Sequence, residues 1–133
     1  MSEFNTDLVL QDLDGEHWKL ATPLSYYSGT LSALVTVPAG TVTDLASIPQ
    51  LIANLAPKTG RYDRAAVIHD WLYTTGLCAK EVADEVFHEA MLVCGVSPWR
   101  AWLMWKAVAW FGGHAWAAHR ANYSDLLNQN AHS

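Results

Sequence analysis

The sequence predicts an α+β fold, and three observations carry the prediction. Short β-branched or alternating runs are confined to the first third, helical spacing of apolar residues takes over from about residue 61, and Gly and Pro separate the segments. At 133 residues, 51% apolar and 16% charged, the chain suits one globular domain, 1–133, mainly β over about 1–45 and mainly α over 61–127. Seven tryptophans in so short a chain are the one departure from ordinary composition.

Taking the elements in order, the runs LVLQDL (8–13), HWKLAT (17–22), LSALVTV (31–37) and TVTDL (41–45) predict strands. Asp14-Gly15, Pro23 to Gly29 and Pro38 to Gly40 separate them, which implies a small antiparallel sheet of hairpins. The stretch from Ala46 to Gly60 holds Pro49 and Pro57, has no long period, and is read as a connector with one helical turn. A helix is expected from about Tyr62 until Thr74-Thr75-Gly76 ends it, and a second from about Ala79 to Val93, closed by Gly95. Ser97-Pro98 reads as an N-cap followed by Pro at the first helical position of a third helix, which ends at Gly112-Gly113. A fourth segment covers His114 to Leu127, and the tail NQNAHS is expected to fray.

Charge and composition exclude some functions. A net charge of −5 with a pI near 5.5 argues against a nucleic-acid binder, which would carry a clustered basic surface. MSEFNTDLVLQD has neither the basic start nor the apolar run of a secretory signal, so residence in a reducing cytoplasm is expected. The apolar stretch Pro98–Arg120 is interrupted by Arg100, Lys106, Gly112-Gly113 and His114, too often for a transmembrane span. Cys78 and Cys94 fall near opposite ends of one predicted helix, roughly 24 Å apart at about 1.5 Å per residue, and cannot bridge each other.

The residues that could carry chemistry lie on the first two helices. His69 and Tyr73 are four apart and share a face, with Asp70 beside His69, while Asp84 and His88 are four apart on the next helix. A short turn makes the helices antiparallel, and pairing Tyr73 against Lys80 or Glu81 brings His69 opposite Asp84 or His88. A carboxylate on one imidazole nitrogen fixes the tautomer and raises the basicity of the other, as a water-activating base requires. The structural alternative is a buried hydrogen-bond network that fixes helix against helix. Asp44, followed by Ser47, could ligate a hard cation or simply make a turn or cap. His88 is either a metal ligand or an ordinary half-exposed helix residue. Zinc on His69, His88 and a carboxylate is the competing metal reading, without an HExxH or cysteine-pair motif behind it.

Laid out at about 100° per residue, the third helix puts Leu103, Met104, Val108 and Phe111 on one side. Trp99, Trp102, Trp105, Trp110 and Trp116 share an arc with Lys106. Such an arc suits a membrane surface or protein interface, but the favoured expectation is a second packed face with the lysine stem over the indoles.

His69-Asp70-Trp71-Leu72-Tyr73 resembles the His-Asp-x-x-Tyr signature of the secretory calcium-dependent phospholipases, and Ala83-Asp84-Glu85-Val86-Phe87 with Met91 and Cys94 is similar to the second motif of their bacterial members. The resemblance covers about 25 residues. It implies that His69 is the water-activating base, Asp70 a calcium ligand, Asp84 the carboxylate orienting His69, and Tyr73 a donor to Asp84. Leu72 stands where most members have a disulfide cysteine, and no Gly-rich calcium loop precedes His69. A wider resemblance runs from about Val37 to Trp116. VPAGTVTDLASIP, AAVIHDWLY and ADEVFHEAM, followed by Gly-Val and a Trp/Arg-rich helix, resemble a family of short phage and prophage proteins known as a domain of unknown function. That resemblance implies a phage gene product and no particular activity.

The expectation is therefore a phage-encoded hydrolase in which His69, oriented by Asp84 with Tyr73, activates water against an ester, with Asp70 and Asp44 holding a cation. Calcium is the first candidate, no metal the alternative to it, and zinc ranks below both. The alternatives are a non-enzymatic phage structural, tail-associated or host-factor-binding protein, and a cell-wall hydrolase. A lipid or cell-envelope substrate and a phage or host protein are the expected partners, and the site of action is the cytoplasm or the virion.

Overall fold

The computed structural model describes residues 2–13, 18–43, 62–113 and 116–118, and the statements below concern those residues. Asp44, the Ala46–Gly60 connector, the Asp14-Gly15 turn and the last part of the expected fourth helical segment lie outside them.

The strands are β1 (Glu3–Phe4), β2 (Leu10–Asp12), β3 (Trp18–Leu20), β4 (Leu24–Ser28), β5 (Ala33–Val37) and β6 (Val42–Thr43). They form two three-stranded antiparallel sheets, ordered β1-β4-β5 and β2-β3-β6, where one sheet of hairpins was expected. The larger correction is β4. Pro23 to Gly29 reads as a connector, yet Leu24–Ser28 is the central strand of the first sheet, in register from Leu24 opposite Val37 to Ser28 opposite Ala33. Its alternation is complete, with Leu24, Tyr26 and Ser28 buried between outward Ser25 and Tyr27. Serines between a Pro and a Gly conceal it, because the polar groups at buried positions find partners only in the fold. Ser28 Oγ accepts the Leu31 N–H at 3.2 Å, and Tyr26 OH donates to Glu89 at 2.6 Å.

The helices are α1 (Asp63–Thr75), α2 (Lys80–Val93) and α3 (Pro98–Phe111), within two residues of expectation. Gly76 ends α1 in the left-handed conformation (φ 62°), its N–H bonded to the Leu72 carbonyl at 2.9 Å. Gly95, at φ 88°, closes α2 in a Schellman arrangement. Its N–H reaches the Leu92 carbonyl and that of Val96 reaches Met91, at 3.1 and 3.0 Å. Pro98 begins α3 as expected, though the Ser97 hydroxyl makes no capping bond.

The core lies where the two sheets' inner residues Leu20, Leu24, Tyr26, Val35 and Val37 meet the helices. α1 packs on α2 and β5, and α2 packs on α1, α3 and β4. The six consecutive residues Ala65–Asp70 are all buried, so α1 is covered on more than one face and any polar group on it must find a partner inside. Among the described residues no helix is long and apolar enough to cross a membrane.

Candidate functional site

The short turn at residues 76–79 reverses the chain and sets α1 antiparallel to α2, with the interface polar at one level. There His69 Nε2 lies 2.8 Å from Asp84 Oδ1, and Tyr73 OH donates to the same oxygen at 2.6 Å. Lys80, one turn before Asp84, donates to Oδ2 at 2.7 Å. Its ammonium also reaches the Val108 and Ala109 carbonyls at the end of α3, at 3.1 and 3.2 Å. Three side chains thus meet around one carboxylate, and one of them, Lys80, ties it to two carbonyls of the third helix. His69, Tyr73 and Asp84 are 2%, 0% and 1% exposed, so these hydrogen bonds form away from bulk water.

The charges follow from that environment. Burial by itself would raise the Asp84 pKa, but hydrogen bonds from His69, Lys80 and Tyr73 outweigh it and hold the carboxyl below its ordinary value. For His69 the balance is reversed: burial lowers the imidazole pKa against the opposing pull of Asp84, leaving the ring neutral at pH 7. Burial, then the Asp84 charge, raises the Tyr73 hydroxyl and keeps it a donor. An ionised carboxylate only accepts, so Nε2 of the neutral ring carries the proton and Nδ1 carries the lone pair. Among the described residues Nδ1 has no hydrogen-bond partner, while the ring itself is held between Phe87, stacked at 4.6 Å, and Tyr73 at 4.2 Å.

Glycine at 112 permits the close approach of α3. A Cβ there would lie 2.7 Å from Tyr73 OH and closer still to the Val108 carbonyl. Trp116 meets the Tyr73 ring edge-on at 5.1 Å. A cleft of about 240 Å³, lined by Lys80, Glu81, Asp84, Glu85, Trp105 and Ala109, opens on the Asp84 side of the cluster. His69 is not among its walls.

Of the residues singled out in the sequence, His69, Tyr73 and Asp84 are brought together. Asp70 is buried beside them at 8% exposure, and Asp44 lies outside the described residues. His88 is turned away: its ring stacks on Trp105 at 4.5 Å and lines a separate cleft of about 510 Å³ with Glu85 and Glu89. Among the described residues no three His, Cys, Asp or Glu side chains converge where a metal ion would sit. Lys80 is the participant the sequence reading left out of the site, though its spacing of four from Asp84 was a visible signal. Glu89, which accepts from Tyr26 OH, Thr30 Oγ1 and Thr30 N–H, was also missed.

The Trp arc is divided rather than packed as one face. Met104 and Val108 are buried, with Ala101 and Ala107, and Trp105 and Trp116 pack against the core. Lys106 sits 3.9 Å over Trp105, as expected. Trp99, Trp102 and Trp110, however, are 57%, 48% and 72% exposed.

Comparison with known sequences places these features in a family. Residues 18–108, which include most of the strands and the four side chains of the His69–Asp84 cluster, match the model described as protein of unknown function DUF1353. The chain belongs to this family. Two relatives of the chain come from Sinorhizobium fredii. The uncharacterized protein y4jT is 38% identical over 78 residues, which is 57% of this chain and 23% of that protein. The uncharacterized protein y4iH is 39% identical over 74 residues, 54% of this chain and 31% of that protein. This DUF1353 chain therefore matches less than a third of either curated relative's length. No solved structure matches it.

Proposed function

We propose that this chain is a phage-encoded hydrolase in which His69 activates water against an ester of a phospholipid. The observation that carries the reading is the division of labour on the His69 ring. Nε2–H is pinned to an ionised carboxylate, and Nδ1 keeps its lone pair without a partner among the described residues. His69 is 2% exposed, so the reading requires the fold to open over the ring; a water then admitted at Nδ1 would give its proton to the ring as its oxygen attacks the ester carbonyl. The imidazolium so formed is stabilised by Asp84 and returns the proton to the departing alcohol as the C–O bond breaks. Tyr73 holds Asp84 Oδ1 in place and does not touch the water. A cation on Asp70, with Asp44, would polarise the carbonyl, and no step above depends on it.

The test compares wild type with His69→Gln and Asp84→Asn, which nearly preserve shape, on mixed phospholipid vesicles with calcium or with chelator. Fatty-acid release by the wild type should fall at least about 100-fold in either variant, with circular dichroism showing that each is folded. Release that persists in folded His69→Gln, or a wild type that releases none under either condition, overturns the reading.

A second reading is favoured by the exposure of Trp99, Trp102 and Trp110. It makes the chain a non-enzymatic phage component that docks a partner protein through α3, with His69 and Asp84 acting through stability alone. On that reading, replacing the three tryptophans with Gln abolishes docking and His69→Gln lowers only the melting temperature.

A further inference from the structure

Lys80 is placed against the preference of its own helix. It is the first residue of α2, where the helix dipole presents its positive end and disfavours a cation. What offsets this is another helix. The Val108 and Ala109 carbonyls lie in the last turn of α3, the negative end of that dipole, and Lys80 Nζ approaches them at 3.1 and 3.2 Å. From there the ammonium reaches Asp84 Oδ2 at 2.7 Å, with its side chain 16% exposed and that of Asp84 2%.

The two carboxylate oxygens are thus divided: Oδ1 accepts from His69 and Tyr73, and Oδ2 from Lys80. Remove the ammonium and Oδ2 loses its hydrogen bond from Lys80 inside a nearly dry interior. The carboxyl is then driven to take up a proton or to rotate toward the cleft that Lys80 and Asp84 share. Either change alters what Oδ1 offers to His69. Lys80 is also the member of the cluster that spans the boundary, part in the cleft and part under α3, so the seating of α3 and the orientation of Asp84 are one event.

We infer that Lys80 is a positioning residue: fastened to the last turn of α3, it holds the Asp84 carboxylate ionised and correctly turned against His69. The inference rests on the hydrolase reading for its catalytic consequence, but its structural content can be read without any substrate. Lys80 itself touches no reacting atom.

The experiment uses the full chain and two measurements on Lys80→Met and Lys80→Arg. The first is the nitrogen spectrum of the His69 ring at neutral pH, which reports whether Nε2 carries the proton in a hydrogen bond to a carboxylate. The second is fatty-acid release from mixed phospholipid vesicles, resolved into kcat and KM. In Lys80→Met the hydrogen-bonded Nε2–H signal should disappear and kcat fall on the order of tenfold to a hundredfold, as for other misplaced catalytic groups, with KM little changed. Lys80→Arg, which keeps the charge and supplies several donors, should recover the signal and part of kcat.

A folded Lys80→Met that keeps both the wild-type ring signal and kcat overturns the inference. If the wild type releases no fatty acid, the hydrolase reading fails by itself, and the ring signal still decides the role of Lys80. Should Lys80→Met not fold, the wild-type ammonium resonance decides instead. Exchange with solvent much slower than at exposed Lys19 is the expected result, and exchange as fast as at Lys19 overturns the proposal.

Discussion

At the scale of single residues, the site is a problem in where charge is allowed. Asp84 remains ionised in the interior because three donors surround it, and the half-buried Glu89 is held ionised because Thr30 and Tyr26 donate to it; in both, hydrogen bonds outweigh burial and lower the pKa. His69 is lowered for the opposite reason, since burial penalises its cation. All three shifts mean that the unfolded chain binds more protons than the native one as the pH falls, so acid must destabilise the fold. The loss should begin below about 6.5, the ordinary value for His69, and steepen below the ordinary 4.5 and 3.8 of Glu89 and Asp84. Melting temperatures measured from pH 8 to pH 3 check this. His69→Gln should lessen the slope of the upper part of the curve, where His88, lowered by burial and then by Lys106, also contributes, and leave the lower part; a wild-type curve that is flat down to pH 4 contradicts the charge assignment.

At the scale of elements, α1, α2 and α3 were readable because Gly76, Gly95 and Pro98 act through local backbone geometry. A left-handed cap or a Pro at the first helical position needs no distant partner to be recognised. The strand β4 was not readable for the complementary reason. Leu24, Tyr26 and Ser28 become an inward face only when Glu89 and the Leu31 amide satisfy their polar groups. Its central place makes a sharp prediction: Leu24→Ala, at a fully buried position, should cost about 2–5 kcal/mol. Ser25→Ala, on the outward side of the same strand, should stay within about 0.5 kcal/mol. Urea denaturation of the two variants checks it, and equal costs would mean that β4 does not present Leu24 to the core.

At the scale of the whole molecule, two polar clusters join different pairs of layers. The His69–Asp84–Lys80 cluster joins three helices to one another, whereas Glu89 joins α2 to the first sheet. Its carboxylate accepts from Tyr26 on β4 at 2.6 Å and from the Thr30 amide and hydroxyl at 2.9 and 2.6 Å. Removing that carboxylate takes away the acceptor of the buried Tyr26 hydroxyl, so Glu89→Ala should cost about 1–3 kcal/mol. The change should also loosen the sheet more than the helix cluster. Amide exchange is the measurement: protection should fall first at residues 24–37, and an equal fall in α1 would show that the two clusters unfold as one unit.

By itself the sequence determined the helix boundaries and the antiparallel pairing of α1 with α2, and it narrowed the partner of His69 to Asp84 or His88. Each depends on spacing along a regular helix and on a short turn. The tertiary structure alone decided that Lys80 is fastened to the Val108 and Ala109 carbonyls of α3, that β4 is a central strand, and that His88 stacks on Trp105 rather than facing His69. It also decided which tryptophans face water. Those outcomes depend on which surfaces of separate elements are brought within hydrogen-bonding or van der Waals distance, and no spacing within one element encodes that.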